Sequence, residues 1–329
     1  MSYSREVIDL ALAELNARRK AAVDAQAAHR NEAVSKVPEI KKAEHQLAAT
    51  ASQLVKAIGM GEETEVFMKT LSQKNLAIQS RIHELLEQNG YPADYLDFHF
   101  TCPKCDDTGY ISGVPCQCFQ TLLKQIALNK LGSVSRSGEC SFGNFNTDYY
   151  PAEVDEEYGV SPRRHMEQVY QYCRCYAEDF DRESENLYLY GETGLGKTHL
   201  TLAIAAQVTN AGYQVIYDSA SNLLRRLEKE RFSSGKDNEF SGAEDEILNC
   251  DLLIIDDLGS EFTTQFTVSA VYNIINTRLN CRKPVIISTN LDIRDLEQKY
   301  TKRVASRVLG NYRALLFMGR DIRQIKSKE

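Results

Sequence analysis

The sequence predicts an α/β fold with a mostly parallel sheet in its carboxyl-terminal half, preceded by an all-α segment and a small cysteine-rich module. Three observations support this prediction. Residues 1 to about 90 are rich in Ala, Glu, Lys and Gln and contain few strand formers. Four of the nine cysteines lie between positions 102 and 118. From residue 186 onward, short apolar runs alternate with helix-like stretches, as expected for a covered parallel sheet.

The chain has 329 residues, which is enough for two or three domains, and its net charge is −7. This charge argues against nucleic-acid binding over the whole surface. Basic residues gather at Arg225 and Arg226 and from Lys299 to Arg323, so we expect any nucleic-acid contact on one surface. Solvated helix faces would explain each basic cluster equally well. The sequence shows neither a signal-peptide core nor a run of about 18 apolar residues, and we therefore expect a cytoplasmic protein without a membrane partner.

The all-α segment, residues 1–90, carries two narrow apolar stripes. Pro38 ends the first helix, Gly59 and Gly61 separate the next two, and Asn89-Gly90-Tyr91-Pro92 ends the segment. We predict a helical hairpin or small bundle that docks a partner, because such narrow stripes bury little core alone. A coiled coil serving only as a spacer is the alternative. The stripes consist of Ile40, Ala43, Leu47, Leu54 and Ala57, and of Phe67, Leu71, Ile78, Ile82 and Leu85.

The module at residues 91–135 contains Cys102-Pro-Lys-Cys105 and, after ten intervening residues, Cys116-Gln-Cys118. Gly109 and Gly113 allow the chain to turn back between the two pairs. Four thiolates suit tetrahedral Zn²⁺ with no open position, and such a site stabilises a segment too small for its own core. A redox pair, free thiols, or His99 replacing one cysteine are the alternatives.

Residues 136–185 are interpreted as a linker to the last domain, residues 186–329. Helices are expected over Leu122–Leu131, in the preceding module, and near Arg164–Phe180. Cys173 and Cys175 lie two apart on the second helix, so their side chains diverge and are interpreted as packing residues rather than ligands. In the last domain, strands are expected at 186–190, 213–217, 252–256, 285–289 and 314–318.

The first of these strands is followed by a glycine-rich phosphate loop of the form G-x-x-x-x-G-K-[ST]. Its glycines let amide groups converge on an anion, and the next helix adds its positive end. Lys197 is predicted to reach the β- and γ-phosphates, and the Thr198 hydroxyl to bind Mg²⁺. The predicted nucleotide-binding residues are Gly191, Glu192, Thr193, Gly194, Leu195, Gly196, Lys197, Thr198 and His199.

Two carboxylates, Asp256 and Asp257, follow the apolar run Leu252–Ile255. In a phosphate-loop fold the first supports Mg²⁺, and the second is placed to polarise the attacking water. Asp257 is one methylene shorter than glutamate, which makes Glu261 a weak alternative base.

The remaining candidates are one amide and four arginines. Asn290 ends the strand at 285–289, where it can hold water or contact the γ-phosphate without adding charge. Arg303 and Arg307 lie four apart on one helix face, where either could reach a neighbouring subunit's nucleotide, although surface solvation is the alternative. Arg323 is a γ-phosphate candidate from the same subunit, with Arg320 as its rival.

The order of these motifs resembles an AAA+ ATPase, and in more detail the DnaC/DnaI/IstB group. The similarity is carried by Leu252–Gly259, by Arg303-Val-Ala-Ser-Arg307 and by Met318-Gly-Arg-Asp-Ile-Arg323. The segment from Cys102 to Cys118 is similar to the zinc module of DnaC-like loaders. The resemblance implies Asp256 as the Walker B residue, Asp257 as base, Asn290 as sensor 1, Arg307 as trans finger with Arg303 as second candidate, and Arg323 as sensor 2. It also implies a reduced or absent helical lid, because the chain ends shortly after the last predicted strand.

The resemblance further implies an ATPase that loads a hexameric DnaB-type replicative helicase onto single-stranded DNA and self-associates through its ATPase domains. ATP, Mg²⁺ and Zn²⁺ are the implied cofactors. An IstB-type transposition helper acting on duplex DNA is one alternative, and a nucleotide-gated scaffold that does not hydrolyse ATP is another.

Overall fold

The computed structural model describes residues 3–57, 64–134, 140–156, 158–232 and 242–326. It contains two compact units. The helical unit comprises Ala11–Gln120, and the sheet unit comprises Met1–Leu10 and Thr121–Glu329. The helical unit thus includes most of the cysteine-rich module together with the helices before it.

Three helices build most of the helical unit. They are α1 (Arg5–Lys36), whose first residues belong to the sheet unit, α2 (Pro38–Ala57) and α3 (Thr64–Gln88). The break at Pro38 is confirmed, since α2 begins at this residue, where its fixed φ suits a first helical turn. The predicted break at Gly59 and Gly61 lies outside the described residues.

The two apolar stripes pack against each other. Ile40 and Ala43 of α2 are buried in one cluster with Ile78, Ile82 and Leu85 of α3. The end of α1 contributes further buried residues to the same cluster. The two stripes therefore form an intramolecular core. The narrow width of the stripes was the reason to expect that they bind a partner, and this reason no longer holds because they are already buried. The side chains of Leu54 and Ala57 lie outside the described residues.

The cysteine-rich module forms a small hairpin and a helix start. Strand β1 (Tyr110–Ile111) pairs antiparallel with β2 (Val114–Pro115), and α4 (Gln117–Val134) follows. The turns depend on glycine, because Gly109 has φ 79° and Gly113 has φ 82°. At Gly109 an added Cβ would approach Leu15 Cδ1 to 2.7 Å.

The sheet unit contains five parallel strands. These are β3 (Asn186–Tyr190), β4 (Val215–Ser219), β5 (Leu252–Leu258), β6 (Val285–Thr289) and β7 (Tyr312–Leu316), in the spatial order β4-β5-β6-β3-β7. The first strand therefore lies between the fourth and the last. Because all neighbours are parallel, their carboxyl ends meet at one edge.

Helices cover both faces of this sheet. One face packs with α5 (Pro162–Glu178) and α6 (Lys197–Asn210). The other packs with α7 (Ala220–Phe232), α8 (Ala243–Asn249), α9 (Gln265–Asn280), α10 (Ile293–Lys299) and α11 (Lys302–Asn311). Strands buried on both sides explain the continuous apolar runs of the sequence. After β7, the described residues contain one short helix, α12 (Ile322–Lys326).

Two strands differ from their predicted bounds by two residues. β4 starts at Val215 because the Tyr213 amide still closes the end of α6, donating to the Val208 carbonyl at 3.3 Å. The Gln214 amide donates instead to the Asp251 carboxylate at 2.9 Å. β7 starts at Tyr312, which pairs with Asn186 at the beginning of β3. The other three predicted strands are present, and β5 continues to Leu258.

The segment interpreted as a linker packs into the sheet unit. Tyr150, Met166, Val169 and Cys173 are buried in the cluster that also contains the β3 and α6 side chains. Cys173 is buried and Cys175 is exposed, so the predicted divergence of the two thiols is confirmed. No helix in the described ranges is long and apolar enough to cross a bilayer.

Candidate functional site

The phosphate loop connects β3 to α6 and adopts a conformation that requires its glycines. Gly191, Gly194 and Gly196 all have positive φ, between 77° and 139°. A Cβ at Gly191 would overlap the Phe317 carbonyl, and one at Gly194 would overlap the Asp321 carboxylate. The loop is therefore held against the residues that follow β7. It leads into α6, whose first amide groups form a site suited to anions.

Lys197 is buried in this loop with its ammonium fully satisfied by neutral oxygens. Its Nζ donates to the Gly191 carbonyl at 2.7 Å, the Glu192 carbonyl at 2.6 Å and Asn290 Oδ1 at 2.8 Å. Burial lowers the pKa of Lys197 to about 8, although the carboxylates of Asp257 and Asp256 act in the opposite direction. A triphosphate would supply the charge partner that this lysine lacks.

Asp256 lies at the centre of a second group of contacts. Thr198 Oγ1 donates to its carboxylate at 3.1 Å, Tyr217 donates to Oδ2 at 2.6 Å, and Ser288 donates to Oδ1. Thr198 and Asp256 are the two residues that the sequence predicts to bind Mg²⁺, whereas no motif in the sequence indicates Tyr217 or Ser288. Hard oxygen donors at this spacing suit Mg²⁺, which Thr198 and Asp256 would hold together.

Asp257 is directed into the same space by an irregularity of the strand. The pairing of β5 with β6 shifts register between Ile255 and Leu258, and Asp257 has φ 53°. Its amide donates to Ser288 Oγ at 3.1 Å, and its side chain is exposed. Glu261 is buried instead, where it accepts hydrogen bonds from the Gly259 amide at 3.0 Å and from Tyr300. Because Glu261 is buried and already hydrogen-bonded, whereas the Asp257 side chain is exposed to the cavity, the structure favours Asp257 as the base.

These groups line a cavity of about 650 Å³. The cavity contains the loop residues 193–199, Asp256, Asp257, Asn290 and Arg323. One wall comes from the segment interpreted as a linker, and it consists of Cys140, Asn144, Phe145, Asn146 and Tyr149. Phe145 stacks on Tyr170 at 5.6 Å and meets His199 edge-on at 5.3 Å. An aromatic wall beside a phosphate loop suits a flat nucleobase.

Tyr150 attaches this wall to the phosphate loop. Its side chain is 1% exposed, and its hydroxyl donates to the Leu195 carbonyl at 2.7 Å. A Cβ at Gly196 would approach Phe145 to 2.9 Å, and one at Gly319 would approach Tyr150 to 2.9 Å. From the sequence, this tyrosine-rich stretch is interpreted only as part of the linker at residues 136–185. Its aromatic content was the one signal that could have identified a binding role.

The structure separates the four arginine candidates into two groups. Arg323 lines the cavity, and its Nε lies 3.6 Å from Asp321 Oδ1. Its rival Arg320 is exposed and is absent from the cavity lining. Arg303 and Arg307 lie on α11 and are also absent from the lining. A residue that serves a neighbouring subunit is expected to lie outside its own cavity.

Tyr217→Phe is expected to raise the Mg²⁺ concentration needed for tight ATP binding by about tenfold, since a hydroxyl that orients a metal-binding carboxylate typically contributes this much. The substitution removes one hydrogen bond to Asp256 and keeps the ring. Magnesium titrations of ATP binding by calorimetry measure the effect. Tyr188→Phe is the matched control, because Tyr188 is also buried but donates to the Leu291 carbonyl. An equal shift in both variants would argue against a role for Tyr217 at the metal.

ATP affinity is expected to fall as the pH rises above about 8, the pKa of Lys197 in the free protein. Bound phosphates favour the charged ammonium and raise its pKa, so binding takes up a proton above pH 8. The affinity is therefore highest below this pH and falls by up to about tenfold per unit above it. Calorimetry in buffers of different ionisation enthalpy measures the proton uptake. Lys197→Arg stays charged and should lose this pH dependence. A wild-type affinity that stays constant from pH 7 to 9.5 would refute the assignment.

The four predicted zinc ligands come together in the helical unit. The Sγ atoms of Cys102, Cys105, Cys116 and Cys118 all lie within 4.8 Å of one another. Cys105 and Cys118 are 3.4 Å apart, and Cys102 and Cys116 are 3.9 Å apart. Tetrahedral zinc with four bonds of about 2.3 Å requires sulfur separations of about 3.8 Å, so the donor set fits this metal.

A buried carboxylate shapes the first cysteine pair. Asp107 is 1% exposed and accepts hydrogen bonds from the Thr101 amide at 2.8 Å and the Cys102 amide at 2.9 Å. These bonds close the segment 101–107 around Cys102 and Cys105, as outer residues of metal sites commonly do. His99 lies outside the cluster, with its Nε2 3.2 Å from the Asp94 carbonyl. The structure thus favours the four-cysteine set over the alternative with histidine.

The chain is similar to one protein family and to several known proteins. The family model described as "IstB-like ATP binding protein" matches residues 157–310. The chain is 25% identical over 146 residues to the "Replicative helicase loader DnaC" of Escherichia coli (strain K12). That match covers 44% of this chain and 59% of the relative's length.

A second relative has a longer match. The chain is 26% identical over 203 residues to the "Replicative helicase loader DnaC" of Buchnera aphidicola subsp. Baizongia pistaciae (strain Bp), covering 60% of this chain and 76% of the relative. Among solved structures, "Crystal structure of the DnaC helicase loader" aligns with a TM-score of 0.44 and 26% identity. It covers 54% of this chain and 98% of the solved one.

Proposed function

We propose that this chain is an ATP-dependent loader of a hexameric DnaB-type replicative helicase, because residues 157–310 match the model of IstB-like ATP-binding proteins and the chain is similar to DnaC helicase loaders. One observation carries the ATPase part of the proposal. Lys197, Thr198, Asp256, Asp257 and Asn290 meet in one cavity, at the edge where the parallel strands end. The names of the DnaC relatives support the loading part.

ATP hydrolysis is assigned to residues of two subunits. The phosphate loop and Lys197 bind the phosphates, and Thr198 and Asp256 would hold Mg²⁺, which would supply positive charge beside the phosphates. Asp257 accepts the proton of the attacking water, and Asn290 orients that water. Arg323 contacts the γ-phosphate from the same subunit, and Arg307 of a neighbour stabilises the charge on the transferred group, with Arg303 as second candidate. Nucleotide occupancy is thereby linked to self-association through the sheet units.

The helical unit is proposed to bind the helicase. Since its two apolar stripes pack against each other, other apolar side chains must provide the contact surface. Val23, Met68 and Leu76 are exposed on its helices by 43%, 41% and 60%. The metal cluster would hold the end of this unit rigid. Single-stranded DNA is proposed to lie along the basic surface of the sheet unit, held mainly through its phosphates.

Association with partners tests this function. The full chain, supplied with ATP and Mg²⁺, should form a defined complex with a DnaB-type hexamer that electron microscopy resolves. The same hexamer should then transfer to single-stranded DNA in a salt-sensitive manner. Lys197→Ala is the matched control, since it removes the phosphate contact. Failure of the wild-type chain to bind the hexamer would refute the loader proposal.

A second function is favoured by the name of the matching family. An IstB-type transposition helper would associate with a transposase on duplex DNA and would not bind the helicase. The four-cysteine module and the helical unit favour the loader. A scaffold without hydrolysis is the third alternative, and absence of phosphate release with helicase and single-stranded DNA present would favour it.

A further inference from the structure

Arg307 is held in a defined orientation by two residues of α9. Its Nε donates to Asn276 Oδ1 at 2.9 Å, and its Nη2 donates to the Tyr272 hydroxyl at 2.9 Å. The guanidinium also lies over the Tyr272 ring, 4.6 Å from its centroid. A further bond runs from Nη1 to the Arg303 carbonyl at 3.2 Å. Tyr272 and Asn276 are four apart on α9, so both face the same side.

All of these partners are electrically neutral. In the described part of the chain no carboxylate lies within 4.0 Å of the Arg307 guanidinium, although the chain as a whole has a net charge of −7. Other arginines of the same structure do pair with carboxylates, such as Arg182 with Asp251 and Arg226 with Asp218. Arg307 is therefore oriented without being neutralised.

The number of hydrogen-bond donors leads to the same conclusion. A guanidinium has five N–H groups in a rigid plane, and the three bonds described above use three of them. Two N–H groups remain, together with the whole positive charge. A planar cation with two free donors fits the oxygens of a phosphoryl group.

We propose that Asn276 and Tyr272 are positioning residues that present the charged Arg307 to the nucleotide of a neighbouring subunit. This inference rests on the proposed ATPase function and adds the requirement that the holding groups be neutral. An amide and a phenol orient the guanidinium but leave its charge available. A carboxylate at position 276 would orient it equally well and cancel that charge.

Asn276→Asp tests this requirement with almost no change in shape. In the presence of helicase and single-stranded DNA, ATP turnover is expected to fall by about 10- to 100-fold. ATP binding by the free protein should stay unchanged, and the Tm should stay the same or rise, because a new ion pair forms. A purely structural role for Asn276 would instead leave turnover intact. Tyr272→Phe keeps the ring and removes one bond, and turnover should fall by about tenfold.

Asn273→Asp is the matched control for added charge. Asn273 lies one turn earlier on α9 and contacts Glu244 and Thr277 rather than Arg307. Because Asn273→Asp loses its donor to Glu244 and places two carboxylates together, its Tm is expected to fall slightly, and turnover is measured well below that Tm. This variant should retain its turnover in the assembly. If Asn276→Asp retains turnover while Arg307→Ala loses it, the positioning inference is wrong and the trans role stands. If Arg307→Ala itself retains turnover, both are wrong.

Discussion

Replacement of Arg307 by alanine is expected to lower ATP turnover in the assembled state by about 10³-fold or more, the range measured where a neighbouring arginine stabilises phosphoryl transfer. Arg307 is absent from the lining of its own nucleotide cavity, so ATP binding by the free protein should remain unchanged. Turnover with helicase and single-stranded DNA, and calorimetry on the free chain, provide the two measurements.

Mixing two inactive variants tests whether Arg307 acts between subunits. Asp257→Asn removes the proposed base but keeps the phosphate contact of Lys197 and keeps Arg307, whereas Arg307→Ala keeps an intact cavity. Assemblies that contain both should recover part of the turnover, because some junctions join an intact cavity to an intact arginine. Arg303→Ala is the companion variant, since Arg303 is exposed on the same helix. An equal loss of turnover by Arg307→Ala in the free protein would contradict a trans role.

The double change Cys102→Ser and Cys105→Ser is expected to release the metal and loosen residues 90–130. Structural zinc contributes about 10 kcal/mol or more of apparent binding free energy in small domains, and the module has little other core. Elemental analysis should show a loss of zinc from the variant. Hydrogen exchange should show that its amides between β1 and the start of α4 exchange faster.

Cys175→Ser with Cys281→Ser is the matched control for loss of two thiols. Both cysteines are exposed, and both lie outside the metal cluster. This control should keep its zinc content and its exchange pattern. Unchanged zinc in the Cys102 and Cys105 variant would refute the four-thiolate site.

The parts of the site that follow from local sequence were predictable. The phosphate loop has fixed spacing because one anion is bound by consecutive amides. Asp256 and Asn290 follow apolar runs that become buried strands, and parallel strands bring their ends together. The two cysteine pairs likewise lie within one short segment of the chain, so their spacing alone predicts a shared zinc site. In each case the functional groups are defined by neighbours in the chain or by the end of a strand.

Contacts between distant segments were not predictable. Tyr217 reaches Asp256 because β4 lies beside β5, and in the sequence it is one more apolar strand residue. Tyr150 bonds to a carbonyl 45 residues away, and no periodicity marks the stretch around it. The helical stripes were recognised, but their width did not show that they pack on each other. Strand order and helix pairing carry this information, and a single sequence does not display them.

The attachment of Tyr150 to the loop at Leu195 has a practical consequence for dissecting the protein. A fragment that starts at residue 186 would contain the whole phosphate loop and still lack the wall of the cavity that Phe145 and Tyr149 form. It would also lack α5, and the sheet face on which Met166 and Val169 of that helix pack would be uncovered. A fragment that begins near residue 140 keeps the cavity wall and α5. The start of the smallest useful fragment is therefore determined by Tyr150 and its neighbours and not by the phosphate loop.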